Sequence, residues 1–456
     1  MHSIRRALLC AIAATATVAT VTVVAPITAT AQASVRCDGH RATIVGTDDK
    51  DIIEGTPRRD VINTLKGRDS VKGLGGRDII CGGNGGDDLS GGPGDDRIFA
   101  GRGGYVGDDE GTGIWYGNEV RGGDGRDFLS GGPDHDVDWP DYGSTPDRVT
   151  FPNAIGPITV RANGTVTGRG IGTDTLASDF ELIVGTNRSD VMSTVGARSD
   201  LDGRGGADRL RTRPGLVDIE LTGGDGGDRL DGTRADKWMV LDGGNGDDSV
   251  LGSPGADNAY PGAGNDTVKT YGGNDSATSQ VQPDIVGTDS VVTGEGNDTI
   301  GLGQRSDGST ADAGPGRDTI QVTWDHGTAD VDAKEATVTV GDNVARFEHA
   351  ERYEFVGGDA DSRLTFHGTA ADELLADGEL VYLASVELWT RGGDDRVNLG
   401  YAWPQNVLVH GGSGDDSIRG TRRADDLYGD DGDDVVNGRG GDDYCEAEHV
   451  TNCERP

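Results

Sequence analysis

Aromatic residues make up only 5% of this 456-residue chain, and hydrophobic residues of all kinds only 33%. That leaves little to bury in an ordinary core. With high charge it is the composition of a disordered chain unless something other than apolar contact organises it. Basic residues are scarce, 41 against 79 acidic, for a net charge of −38. Such an imbalance argues against nucleic acid or an anionic membrane surface as partner. After residue 33 no apolar run approaches the roughly 18 residues of a membrane span, so the mature chain is read as having none. Strong helix formers thin out over the same stretch. Catalytic signatures are missing too. The histidines after residue 33 (His40, His135, His326, His349, His367, His410 and His449) form no H-E-x-x-H pair. GGSGD at 411–415 ends in Asp where a G-x-S-x-G elbow needs Gly. Acid–base pairs of Asp and Glu arise by coincidence among 79 acids and carry no weight. The chain is therefore read as not an enzyme.

Glycine is abundant, 78 residues, but without the three-residue period of collagen. The period is nine. Six units run end to end from Gly46 to Phe99, with Asp51, Asp60, Asp69, Asp78, Asp87 and Asp96 at the sixth position. Two residues later comes an aliphatic: Ile53, Ile62, Val71, Ile80, Leu89 and Ile98. The last two units read GGNGGDDLS and GGPGDDRIF. This is the G-G-x-G-x-D-x-U-x pattern of calcium-binding parallel β-helices. A second run, Gly243 to Thr278, places Asp248, Asp257, Asp266 and Asp275 in register. A third, Gly411 to Glu446, places Asp416, Asp425, Asp434 and Asp443. Shorter matches surround Asp127, Asp136, Asp208, Asp228, Asp298, Asp318 and Asp395.

The spacing has a physical reading. Six residues form a turn whose glycines adopt positive φ and allow close backbone approach. Three form a strand whose single aliphatic points inward. Two units close a coil of about 18 residues, so turns two units apart stack. Their aspartates then form columns that repel unless a cation lies between them. Calcium takes six to eight oxygens, which carboxylates and turn carbonyls supply. The fold class expected is all-β: an elongated, right-handed parallel β-roll or β-helix solenoid with Ca2+ between stacked Gly-Asp turns, folding coupled to the metal. Runs of six, four and four units hold at most about eight such sites, with weaker ones adding more.

Residues 1–33 read as a signal peptide. Arg5 and Arg6 precede an apolar stretch from Ala7 to about Ile27, and Ala31-Gln32-Ala33 offers an A-x-A cleavage site. Cleavage there brings the net charge to about −40. The protein is expected to be secreted, extracellular or cell-wall associated, where calcium is plentiful enough to fill weak sites. The mature chain keeps Cys37, Cys81, Cys445 and Cys453, which allow three pairings. A solenoid of about 23 coils at roughly 4.8 Å each would hold its ends on the order of 110 Å apart. The pairs expected are then local, Cys37–Cys81 and Cys445–Cys453, each stapling one end.

The segmentation is as follows: N-terminal calcium-repeat run 34–138 with an inserted loop at 100–121; strand-rich spacer coils 139–242; central run 243–320; strand-rich spacer coils 321–410; C-terminal run and disulfide cap 411–456. The first spacer holds short β segments at Arg148–Phe151, Ile158–Arg161, Thr165–Thr167 and Phe180–Val184, then VGTNRSDVM, an echo of VGTDDKDII at 45–53. The second repeats that plan over 318–375. In the inserted loop Asp108, Asp109, Glu110, Trp115 and Tyr116 are read as exposed or half-packed.

The three runs resemble the hemolysin-type calcium-binding repeats of RTX proteins. The start CDGHRATIVGTDDKDIIEGT and the end GGDDYCEAEHVTNCE resemble exported actinobacterial-type proteins built mostly of such repeats. The resemblance covers most of residues 37–446. It implies that the ligands are the sixth-position aspartates, helped by glycine-turn carbonyls. There are departures. Units 46–72 lack the paired glycines and are read as metal-free capping coils. Lys237 and Glu373 replace the aspartate in the units at Gly232 and Gly368.

The function expected is a secreted calcium-ion-binding repeat protein acting as a structural or adhesive scaffold, with a cell-surface glycan or protein as possible partner. The alternatives are a carbohydrate-binding module using Trp115, Tyr116, Trp389, Tyr401 and Trp403, or a β-helix enzyme acting on polysaccharide.

Overall fold

The computed structural model describes residues 35–107, 113–132, 145–196, 199–278 save 217, 287–357 save 304, 363–399 save 372, 381, 382 and 384, and 406–454. The signal-peptide reading, Asp108, Asp109, Glu110, Asp136, Tyr401 and Trp403 fall outside these residues. Every regular element described is a strand. Among the described residues no helix is long and apolar enough to cross a membrane.

The chain winds as a parallel β-roll. One long sheet runs from Ile52–Glu54 to His449–Thr451 and the facing sheet from Ile44–Val45 to Tyr444–Glu446. Register follows the nine-residue frame: Ile53 faces Val71, Val71 faces Leu89, and in the other sheet Ile62 faces Ile80 and Ile80 faces Ile98. These are the position-eight aliphatics. Ile62, Ile80, Leu89 and Ile98 are fully buried, and the core continues through Val250, Ile418 and Val436 to Cys445. One aliphatic per strand therefore suffices, because each stacks on its counterpart in the coils above and below.

The first sheet has nineteen strands among the described residues, fewer than the 23 coils expected. The spacers explain the difference, because they do not keep the 18-residue coil. Ile158–Val160, Thr165–Gly168 and Gly172–Leu176 form an antiparallel meander whose outer strands join the second sheet. Thr328–Asp332, Thr337–Val340 and Asn343–Glu348 repeat it. Here an ordinary apolar core replaces Gly-Asp turns. Phe355 and Phe366 are fully buried, and Tyr353 packs against Phe366 at 4.8 Å between ring centroids. Within the inserted loop, Gly104–Gly107 pairs antiparallel with Gly113–Tyr116 as a hairpin, so the segment is more regular than the sequence suggested. Cys37 is bonded to Cys81 and Cys445 to Cys453, with Cα separations of 5.7 and 6.0 Å.

Candidate metal centre

Turns stack along both edges of the roll, backbone against backbone. At Gly83 (φ +93°) and Gly85 (φ +144°) a Cβ would run into the carbonyls of Leu65 and Gly67 in the turn one coil earlier. Only glycine fits there, which accounts for positions two and four of the repeat.

The sixth-position side chains knit these stacks together. The amide of each such residue donates to a side-chain oxygen of its counterpart one coil later. Asp60 donates to Asp78, Asp78 to Asp96 and Asp96 to Asp127, each at 2.8 Å, and Asp127 to Asp174 at 3.0 Å. On the opposite edge Asp51, Asp69, Asp87, Asn118 and Asp147 form the same ladder. A third ladder runs Asp190, Asp208, Asp228, Asp248, Asp266, Asp289. A fourth runs Asp257, Asp275, Asp298, Asp318, Glu351. The fifth is Glu373, Asp395, Asp416, Asp434, Glu448, and the sixth Asp425, Asp443, Glu454.

One carboxylate oxygen is thus used within the protein. The other divides the turns into two kinds. In Asp78, Asp87, Asp96, Asp127, Asp208, Asp228, Asp248, Asp266, Asp318, Asp416 and Asp434, Oδ2 is buried and accepts no hydrogen bond. It faces the first residue of its own turn. A Cβ at Gly82 would lie 2.5 Å from both Asp87 Oδ2 and the Ala100 carbonyl, and one at Gly223 2.6 Å from Asp228 Oδ2 and 2.5 Å from the Gly243 carbonyl. Each turn is a small cradle lined by a carboxylate oxygen and carbonyls, and its first residue is glycine except at Pro261 and Ala313 in the turns of Asp266 and Asp318. At Asp69, Asp275, Asp298 and Asp395 the cradle also holds a threonine hydroxyl, from Thr64, Thr270, Thr293 and Thr390, which opposes the burial-driven rise in carboxyl pKa.

Six turns differ. Each reads G-T or G-S, and its position-two residue clamps the carboxylate. Thr186 donates its amide at 2.6 Å and its hydroxyl at 3.0 Å to Asp190 Oδ2. Thr47 and Thr56 hold Asp51 and Asp60 in the same way. Ser253 holds Asp257, Thr421 holds Asp425, and Thr369 holds Glu373. Every one of the six ladders starts at such a turn. Asp257 and Asp425, expected as ligands, therefore stand with the clamped carboxylates. The turn stacked above has room for a side chain at position two, and Leu65, Leu74, Arg204, Tyr271, Arg391 and Arg439 occupy it with φ of 69–77°.

Burial pushes the unclamped carboxyls upward. Asp78 and Asp127 reach about 6, and Asp87, Asp96, Asp208, Asp248, Asp266 and Asp416 about 7. Neighbouring aspartates add to the rise, as Asp228 and Asp266 do at Asp248 via Coulomb repulsion. A buried carboxylate with no partner is costly, and a cation removes the cost. The donors are all hard oxygens, so the residues present fit calcium.

The family model of the RTX calcium-binding nonapeptide repeat, four copies long, matches residues 45–80, 54–89, 81–104, 112–137, 242–277, 286–301 and 410–445. The chain carries RTX calcium-binding repeats. No curated protein matches it. The matched segments cover all three runs, 46–99, 243–278 and 411–446, almost to the residue, and add 112–137 and 286–301. The nine-residue frame read from the sequence misses Asn118, Asp147, Asp174, Asp289, Glu351, Glu448 and Glu454, all of them ladder members. Insertions separate several from their neighbours, with Asp174 lying 47 positions after Asp127 and Glu351 33 positions after Asp318. Of the aromatics singled out, Trp389 stacks on His367 at 5.1 Å in one rung-to-rung pile, and the guanidinium of Arg68 covers the Tyr116 ring at 4.6 Å.

Proposed function

We infer that this is a secreted calcium-binding repeat protein that folds on calcium outside the cell and serves as a structural or adhesive scaffold. The buried, unpartnered Oδ2 atoms stacked along both edges carry the reading. The ligands assigned are the eleven unclamped aspartates, together with Asp69, Asp275, Asp298 and Asp395. Gaps between consecutive members of these stacks number about ten, which sets the ion count expected per chain. Calcium supplies neutralisation and cross-linking. The chain supplies the geometry: the amide ladder orients each carboxylate, and the glycines keep the cradle open. Two disulfides and the A-x-A leader support the extracellular setting. The chain should be found in the medium or wall fraction, cut after Ala33; an uncut cytosolic chain would overturn the export reading.

Two substitutions separate the kinds of turn. Asp248→Asn should remove about two ions per chain, because Asp248 lies between Asp228 and Asp266. Thr186→Val should leave the ion count unchanged yet cost about 1–3 kcal/mol, since a buried carboxylate loses its hydroxyl donor. Bound-ion counting and urea unfolding read both. An Asp248→Asn chain that kept every ion would refute the ligand assignment.

A further inference from the structure

The two sheet faces of one coil carry opposite charge. On the outer face of the second sheet, between Val191 and Lys269, the strands turn out Arg209, Arg211, Arg229 and Lys269 against one acid, Asp231. On the first sheet the same coils turn out Asp200, Asp202, Glu220 and Asp242 and no base. Asp312, Arg346 and Glu348 then mix the signs on the second sheet. Beyond them, from Thr328–Asp332 to Tyr444–Glu446, the signs exchange. The second sheet now turns out Asp330, Asp332, Glu387, Asp426 and Glu446 against Arg363. Among the described side chains the first sheet turns out Arg352, Arg396 and Arg419 against Glu354.

These charges are not consumed within the chain. Arg209, Arg211, Arg352, Arg396 and Arg419 are exposed, and among the described residues none has a carboxylate within 4.0 Å. Arg229 reaches Asp231 at 3.9 Å, too far for a tight ion pair. On the opposite face the acids crowd one another. The Glu220 amide donates to Asp200 at 2.8 Å, and burial, with repulsion from Glu220 and Glu181, pushes the Asp200 carboxyl up to about 7. Glu220 is raised by burial and by Asp242. Like charges on neighbouring rungs destabilise a face, and a face of opposite charge relieves them. The exposed turn residues carry both signs, Arg204 and Lys237 as well as Asp225 and Asp247, so the separation belongs to the sheet faces.

We propose that the second sheet of one copy docks on the first sheet of another, the two rolls lying parallel, so that along the length basic stretch meets acidic and acidic meets basic. A partner must carry acidic and then basic charge in this order to match both stretches of the second sheet, and the first sheet of this chain presents that order. The area suffices. From Val191–Ser193 to Tyr444–Glu446 the second sheet has fifteen strands among the described residues, which at about 4.8 Å by 10 Å each offer on the order of 700 Å² per copy. A stable interface takes roughly 800 Å² per partner. At physiological ionic strength charges are screened beyond about 8 Å, so the facing patches outweigh the distant remainder of the net −38. The contact is heterologous, one sheet face against the other, so it repeats into lateral stacks instead of closing into pairs. The proposal goes beyond the scaffold reading and needs only the folded roll.

The test is sedimentation velocity of the calcium-loaded mature chain, with ion count and circular dichroism checked first so that a failure of loading or folding is recognised as such. Species that grow past the dimer with protein concentration at physiological salt, and dissolve at about 1 M salt where screening acts within about 3 Å, are expected. Arg209→Glu with Arg229→Glu on the second sheet should raise the concentration of half-association at least tenfold, with ion count and circular dichroism unchanged. Glu220→Lys with Asp242→Lys on the first sheet should do the same. Mixing the two double variants should restore association, because the reversed face of each then fits the reversed face of the other. A folded chain that stays monomeric at every concentration would leave these faces to some other partner and overturn the proposal. So would closed dimers that survive the first-sheet variant, which would mean that second sheets pair with each other, or association indifferent to salt.

Discussion

Chelation at neutral pH should abolish most of the β circular dichroism of the mature chain, and added calcium should restore it cooperatively with about ten ions bound. The argument is electrostatic. Eleven buried Oδ2 atoms have no partner, and each stack places ionised aspartates on successive coils. An uncompensated buried carboxylate costs several kcal/mol, which the single aliphatic of each strand, worth about 1.5–3 kcal/mol, cannot offset repeatedly. Calcium removes the cost and links two turns at once. The two spacers, with cores around Phe355, Phe366 and Val166, should keep some structure through chelation. Full β signal in a chain shown to be ion-free would mean that the aspartates are plain turn formers.

Acid should stand in for calcium. Asp87, Asp96, Asp208, Asp248, Asp266 and Asp416 have folded-state values raised by burial to about 7, against roughly 4 in an unfolded chain. A raised folded pKa means that the folded form binds protons more tightly. The stabilisation is complete below the unfolded value and is lost as pH rises through the folded one. The calcium-free chain should therefore gain β structure as pH falls from about 8 to about 4, with the change centred between about 5 and 7. Calcium affinity should fall over the same range, because protons and ions compete for the same oxygens. A calcium-free chain equally unfolded at pH 4 and pH 8, or a calcium affinity independent of pH, would contradict this.

What could be read from the sequence follows from how locally each feature is encoded. The roll, the inward aliphatics and most cradle aspartates recur every nine residues, so Asp78, Asp96 and Asp248 were visible by counting. Asp174 and Glu351 take part in the same ladders but are reached only across meanders whose length no repeat predicts. Asn118 fills an aspartate's place, and its identity hides the equivalence. The G-T turns were visible as an echo, VGTNRSDVM after VGTDDKDII, yet what separates them from G-G turns is a hydrogen bond from Thr186 to Asp190.

The apolar meanders have a mechanical consequence. In a solenoid each coil touches only its neighbours, so stiffness is set locally and summed along the length. On the proposed calcium reading the runs should be rigid only while loaded, whereas the meanders draw their rigidity from aromatic and aliphatic packing. As calcium falls, the rod should become stiff segments joined by slack ones, and its end-to-end span should follow the ion.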